Sequence, residues 1–447
     1  MKKINYILLI IVFCSTQITA QRVLTLDESK QLALQNNSKS KNSKLEVEAS
    51  RQIKKSAFTN FFPNISAGGL IFEAQKSLME METHSANLPV YDGNPVNIRT
   101  ATQFAYMPAS TMGLLKKGTV GFINVIQPVF AGGRIWNGNK LASLGEDASE
   151  LKDKLTTDEI VQKTEEQYWL IVSLVEKQKT IRKYEELLRR LNARVEDAFN
   201  SGMVMKNDVL KVRLKLNEIL LNKSKLENGK KLASMAFCQH IGVAYDSTII
   251  LKDELMIKDI PQNYFVENVE ALKNRSEYGL LELSVEAEKL QTKMTLGEYL
   301  PQAGIGISGM YMKFDESKDR TLGAVFGTVS IPISNWWGGV HELEERSIKE
   351  EMAENNFKNS SELLILQMEK AWQDFTDSYK QYLLSEESKV QAEENFKVND
   401  DSFKNGLITV SDLLEAQALL QQTQDQLTDA KAEYFIKRNN YLKVTGR

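Results

Sequence analysis

Cysteine, histidine and proline are scarce in this chain: two, three and eight respectively among 447 residues. Cys14 falls in the N-terminal leader described below, which leaves Cys238 as the one cysteine of the expected mature chain and excludes an intrachain disulfide. The bulky Phe13 before Cys14 does not suit lipoprotein processing, which needs a small residue there. His84, His240 and His341 stand apart, and no Cys/His/carboxylate group has ligand spacing. No metal site and no cofactor are therefore expected. So few histidines leave no nucleophile–base arrangement, and carboxylate pairs such as Glu344–Glu345 read as solvated helix faces, so the chain is not expected to be an enzyme. Charge of one sign is missing too. The 56 basic and 59 acidic residues are interspersed, which excludes a nucleic-acid footprint. No stretch of about twenty apolar residues could cross a bilayer as a helix.

The N-terminus carries Met1-Lys2-Lys3, an apolar run over residues 7–13 and a small Ala20 before Gln21. This pattern predicts a cleaved secretory signal over 1–20. The prolines cluster as Pro63, Pro89, Pro95, Pro108, Pro128, Pro261, Pro301 and Pro332. Two long proline-free stretches remain, 129–260 and 333–447, and these are where long helices can form.

Both stretches contain the same motif, F-x-x-G-x5-D-x-L. It begins at Phe199, returns at Phe403, and so is offset by 204 residues. Before the first copy, Ile160, Thr164, Gln167, Ile171, Leu174, Gln178, Ile181, Tyr184, Leu188, Leu191 and Val195 step by 4-3-4-3, with one extra step of three at Tyr184. Leu364, Met368, Ala371, Phe375, Ser378 and Tyr382 repeat those steps at the same offset. A 3.5-residue period sustained this far predicts coiled-coil packing. A helix from about 134 to 199 would run roughly 100 Å.

The duplication reaches further. Ala33-Leu34 matches Ala271-Leu272, and Pro63 matches Pro301, both at an offset of 238. The expected order is a first repeat over 21–240: helix, strand 65–74, loop 75–117, strand 119–130, long helix, turn near 202, helix. A linker follows over 241–262. The second repeat, 263–447, has strands 304–314 and 322–333, a short charged loop at 315–320 and a turn near 406. Strands of about ten residues rich in Gly, Val, Ile, Phe and Thr suit a tilted membrane strand. Four of them cannot close a barrel in one chain, and open edges are not tolerated in lipid.

With these features the chain resembles the TolC family of outer-membrane efflux proteins. The opening Leu24-Thr25-Leu26-Asp27-Glu28 with Asn36-Asn37 is similar to that family's N-terminal signature. Gln127-Pro128-Val129-Phe130 with Gly132-Gly133-Arg134 is similar to its strand-to-helix motif, and Ile331-Pro332-Ile333 with Gly338-Gly339 is the second copy. The paired turns resemble its hairpin tips. The resemblance implies an α+β membrane protein of Gram-negative bacteria: a homotrimer whose twelve strands form one outer-membrane β-barrel above a periplasmic helical tunnel. It also implies a periplasmic adaptor protein, an inner-membrane RND-type or ABC-type transporter, and contact with outer-membrane lipid. The channel itself would be a passive exit duct for efflux or type I secretion. A secreted or periplasmic coiled-coil scaffold without a transport role is the rival reading. It accounts for the heptads and leaves the interrupting strands unexplained.

Asp208 and Asp412 follow the turns, where a short acidic side chain caps a helix N-terminus. Asp412 and Glu415 also have capping-box spacing. The resemblance implies that Asp412 and Glu415 line a periplasmic constriction as rings of negative charge, and the matching Asp208 is a candidate for the same gate. The two roles are compatible. Where the best-known family pattern has a Tyr and an Arg forming closing links, this chain has Phe403 and Ile408, so closure by apolar contacts is expected. Gly202 and Gly406 suit left-handed helix ends. With Phe199, Met203, Val204, Phe403, Leu407 and Ile408 they form the expected adaptor-docking tips. Pro63, Pro128, Gly132, Gly133, Pro301, Pro332, Gly338 and Gly339 are expected at the junction of barrel and tunnel. Gly132-Gly133 and Gly338-Gly339 both lack the G-K-[ST] of a phosphate loop, so a backbone bend is expected at each. Trp336-Trp337, Phe61-Phe62 and Tyr299 suit an interfacial aromatic belt or packing at the bend.

Overall fold

The proline-free stretches fold as two helical hairpins. In the computed structural model the first long helix spans Arg134–Asn200 and its return helix spans Lys206–His240. The second pair spans Trp336–Lys404 and Val410–Val444, and both return helices have 35 residues. The structure describes residues 23–314 and 318–447. The expected signal segment 1–20 and residues 315–317 of the short loop lie outside the described residues.

The remaining helices are Leu26–Asn36, Ser38–Phe58, Asn268–Leu272 and Ser276–Glu298. The strands are β1 (Val23–Leu24), β2 (Asn64–Glu73), β3 (Met79–Thr83), β4 (Ala86–Pro89), β5 (Phe104–Met107), β6 (Ser110–Leu114), β7 (Lys117–Ala131), β8 (Ile250–Leu251), β9 (Gln302–Phe314) and β10 (Arg320–Ser330). No helix among the described residues is long and apolar enough to cross a membrane.

The chain divides into two compact units. The first comprises residues 23–51, Leu144–Glu286 and Met352–Arg447. Its heptad positions Ile160, Ile171, Ile181, Leu188, Leu191 and Val195 are buried, as are Met368, Ala371 and Phe375 of the second copy. An aromatic core forms where Trp169 stacks on Phe435, with ring centroids 4.2 Å apart. Phe375, Tyr434 and Tyr441 pack beside it.

Residues 241–262 do more than link the repeats. β8 pairs in parallel with β1, and the Asp253 carboxylate accepts from Leu26 N at 2.8 Å and Tyr168 Oη at 2.6 Å. Lys30 forms an ion pair with buried Glu165. Burial holds the Glu165 carboxyl above its usual range even though Lys30 pulls it down. Both return helices end alike: left-handed Gly242 lies against Asn36, and left-handed Gly446 against Asn274. These contacts repeat the two offsets of the duplication.

The second unit comprises Gln52–Ser143 and Ala287–Glu351. Its four-stranded antiparallel sheet has the order β10-β9-β7-β2. Ile65, Val125, Ile307 and Val325 stand in one row across one face. Ser66, Asn124, Ser308 and Ala324 form a row on the other, where Ser308 Oγ donates to Asn124 Oδ1 at 2.6 Å. On that second face Phe122 covers Gly68 and Phe326 covers Gly306, so rings fill the space that glycine leaves. Ile71 and Val325 are each 81% exposed, and among the described residues no layer covers the β-branched face.

Three expectations need correction. The 75–117 segment is not a bare loop, because it carries the β3/β6 and β4/β5 ladders. The last strand, expected over 322–333, ends at Ser330; Pro332 has no N–H to continue the ladder, and Ile333–Asn335 forms a 3-10 turn. Gly338 and Gly339 lie in the first turn of the second long helix and make no bend; Gly339 lies close against the Tyr299 ring.

The other junction residues sit at strand ends. Pro63 precedes β2, Pro301 precedes β9, and Pro128 adjoins the register shift between β7 and β9. Gly132 and Gly133 have left-handed φ values of 63° and 78° just before the first long helix. A side chain on Gly132 would collide with the backbone of Gly297. Gly132→Ala should therefore destabilise the protein by at least about 1–2 kcal/mol from its backbone alone. Thermal unfolding in detergent, followed by circular dichroism, checks this. An unchanged melting temperature would show that the close approach is dispensable.

Candidate functional site at the paired hairpin tips

Each long helix ends in the same turn. Gly202 N donates to Phe199 O at 2.9 Å and Met203 N to Ala198 O at 2.8 Å. Gly406 N donates to Phe403 O at 3.0 Å and Leu407 N to Ser402 O at 2.9 Å. This is a Schellman closure, with Gly202 and Gly406 at φ 76° and 73°. It explains why the motif fixes glycine three residues after the phenylalanine.

The motif's aspartate closes the other side of the turn. Thr409 caps the second return helix: Asp412 N donates to Thr409 Oγ1 at 3.3 Å, and Thr409 N donates to the Asp412 carboxylate at 2.9 Å. The Asp208 carboxylate accepts from Met205 N at 3.3 Å, but Met205 offers no hydroxyl in return. The first tip therefore holds half of a capping box and the second a whole one. Hydrogen bonds from Thr409 hold the Asp412 carboxyl below its usual range, helped by the charge of Lys211.

An apolar cluster joins the tips within the first unit. Val195, Val209, Val212, Val410 and Leu413 are buried in it, with Val204, Phe403 and Ile408 packed alongside. Phe199, Met203 and Leu407 point outward; Met203 is 78% and Leu407 75% exposed. Asp412 and Glu415 are exposed, and Asp208 is half-buried.

One residue of the site escaped the sequence reading. Lys211 Nζ donates to Ser411 Oγ at 2.7 Å across the hairpins and lies 3.7 Å from the Asp208 carboxylate. Asp208 is therefore half of an ion pair with Lys211. The repeat offset held the signal, since Lys211 occupies the position that Glu415 holds in the second copy. No group of three or more His, Cys, Asp or Glu residues among the described ones could hold a metal ion.

An uncovered four-stranded antiparallel sheet and two long helical hairpins in one chain define a class: the chain has the fold of TolC-like outer-membrane channels. It is similar to VceC of Vibrio cholerae, at 13% identity and a TM-score of 0.72, covering 94% of this chain and 96% of that one. It is similar to CmeC of Campylobacter jejuni, at 15% identity and a TM-score of 0.74, covering 94% and 85%. The open state of MtrE from Neisseria gonorrhoeae matches at 12% identity and a TM-score of 0.70, covering 94% and 88%. No curated protein matches the chain in sequence. Residues 269–447 match the model of the outer membrane efflux protein family, so the second repeat carries that family's sequence signature and the whole chain carries the fold.

Replacing Thr409 with Ala should weaken the second return helix by about 1 kcal/mol, and Met205→Thr should strengthen the first by a similar amount. Hydrogen exchange over 206–212 and 410–416 measures both. The Asp412 contribution is present above its unfolded value of 3.8 and is lost as pH falls through the lower folded value. Protection that rose as pH fell through that range would contradict the cap.

Proposed function

We propose that the chain is the outer-membrane exit duct of a tripartite efflux or type I secretion system. The observation that carries this reading is a sheet with two free edges and uncovered apolar residues, in the same chain as duplicated helical hairpins. Three copies joined edge to edge, β10 of one to β2 of the next, give twelve strands and no open edge. The face bearing Ile65, Val125, Ile307 and Val325 meets lipid, and the face bearing Ser66, Asn124 and Ser308 lines the pore. The duct is passive; an adaptor and an RND-type or ABC-type pump of the inner membrane supply recognition and energy.

The hairpin tips form the periplasmic entrance. Asp412 and Glu415 place acidic rings there, and Lys211 neutralises Asp208. The four groups sum to two negative charges per chain, which attract cations into a narrow mouth and disfavour anions. Closure rests on the apolar packing of Phe403 and Ile408 together with the Lys211–Ser411 link. Met203 and Leu407, apolar and exposed, offer the adaptor its contact.

Light scattering of the detergent-extracted protein should give a trimer. A monomer or dimer would leave strand edges in lipid and favour the scaffold reading. In planar bilayers, Asp412→Ala with Glu415→Ala should weaken divalent-cation block about tenfold, and Lys211→Glu should strengthen it. Unchanged block in both variants would remove the acidic ring from the mechanism.

A further inference from the structure

The 75–117 insertion carries chemistry that an export duct does not use. β3 and β6 pair so that Met81 stands directly opposite Met112. Met79, two residues from Met81, shares that face, and Glu80 and Glu82 take the opposite one. The far end of the ladder is pinned, with Thr83 Oγ1 bonded to Ser110 O at 3.0 Å. Met79, Met81 and Met112 are 56%, 55% and 62% exposed, so these residues are open to solvent.

Strand propensity does not account for this choice, because exposed strand faces favour Val, Ile and Thr. The main sheet obeys that rule in its Ile65–Val125–Ile307–Val325 row. Methionine differs from those residues by a soft, polarizable sulfur on a flexible stem. Directly opposed Cβ atoms lie about 4.5–5.5 Å apart and diagonal neighbours about 7–8 Å, so three such stems can converge on one ion. Neutral thioethers select soft monovalent ions over Zn(II) or Mg(II).

We propose that Met79, Met81 and Met112 form a surface site for a soft monovalent cation, Cu(I) or Ag(I). Glu80 and Glu82 supply compensating charge from the other face and are not ligands. This site is independent of the export reading, since it needs only the β3/β6 ladder. The test titrates the detergent-solubilised protein with Cu(I), anaerobically and under reductant, against a chromogenic Cu(I) chelator. The wild type should take one Cu(I) per chain. Met81→Leu with Met112→Leu, similar in volume and checked for fold by circular dichroism, should bind at least tenfold more weakly. Met235→Leu, on the first return helix, should bind like the wild type. Failure of the wild type to compete, full retention by the double variant, or equal uptake of Zn(II) would each overturn the site.

Discussion

Two strand edges constrain the whole molecule. Among the described residues, β2 pairs only with β7, and β10 only with β9. Each outer edge therefore presents a row of backbone donors and acceptors without partners. In water such edges invite pairing with another chain; in lipid each unsatisfied group costs several kcal/mol. Exposed Ile65, Ile71, Val325 and Val329 argue against water as the resting medium of the sheet. A medium without water and an edge without a partner are incompatible in a single chain. Edge-to-edge pairing with further copies, as proposed above, would satisfy both.

The internal duplication explains why so much geometry appears twice. Gly202 and Gly406 close their helices with the same two bonds, and Gly242 and Gly446 seat against matching asparagines. The tips differ in chemistry where the copies diverge. Thr409 completes a capping box that Met205 leaves half made. Lys211 stands where the second copy has Glu415, so one tip carries a neutral pair and the other two exposed acids. One hairpin backbone, used twice, thus carries two different charge patterns at its tips.

The long elements were legible in the sequence because their signals are repetitive. Proline-free heptads set both hairpins, and F-x-x-G-x5-D located both turns to within a residue or two. The shorter features were not legible, for physical reasons. The β3/β6 and β4/β5 ladders are four or five residues long and sit among Pro89, Pro95 and Pro108, so local composition reads as loop. Gly338-Gly339 looked like Gly132-Gly133, yet only the first pair adopts left-handed backbone. Tyr168 and Asp253 meet across 85 residues, and Lys211 meets Ser411 across 200; no local pattern announces such contacts.

The two ends of the first unit are held by different forces. Near β1 and β8, polar bonds cross between elements: Tyr168 to Asp253, Lys30 to Glu165, and Thr164 Oγ1 with His240 Nε2 at 3.1 Å. Along the seam, the hydroxyls of Ser173, Ser378 and Thr423 return to carbonyls of their own helices. Toward the tips the buried cluster is apolar, with Lys211–Ser411 linking the two hairpins and Arg213–Glu196 bridging the helices of the first at 2.7 Å. Directional bonds resist displacement more sharply than apolar contact, which is non-directional. Polar bonds between elements are thus gathered near β1 and β8, while the buried cluster at the tips is held by apolar contact.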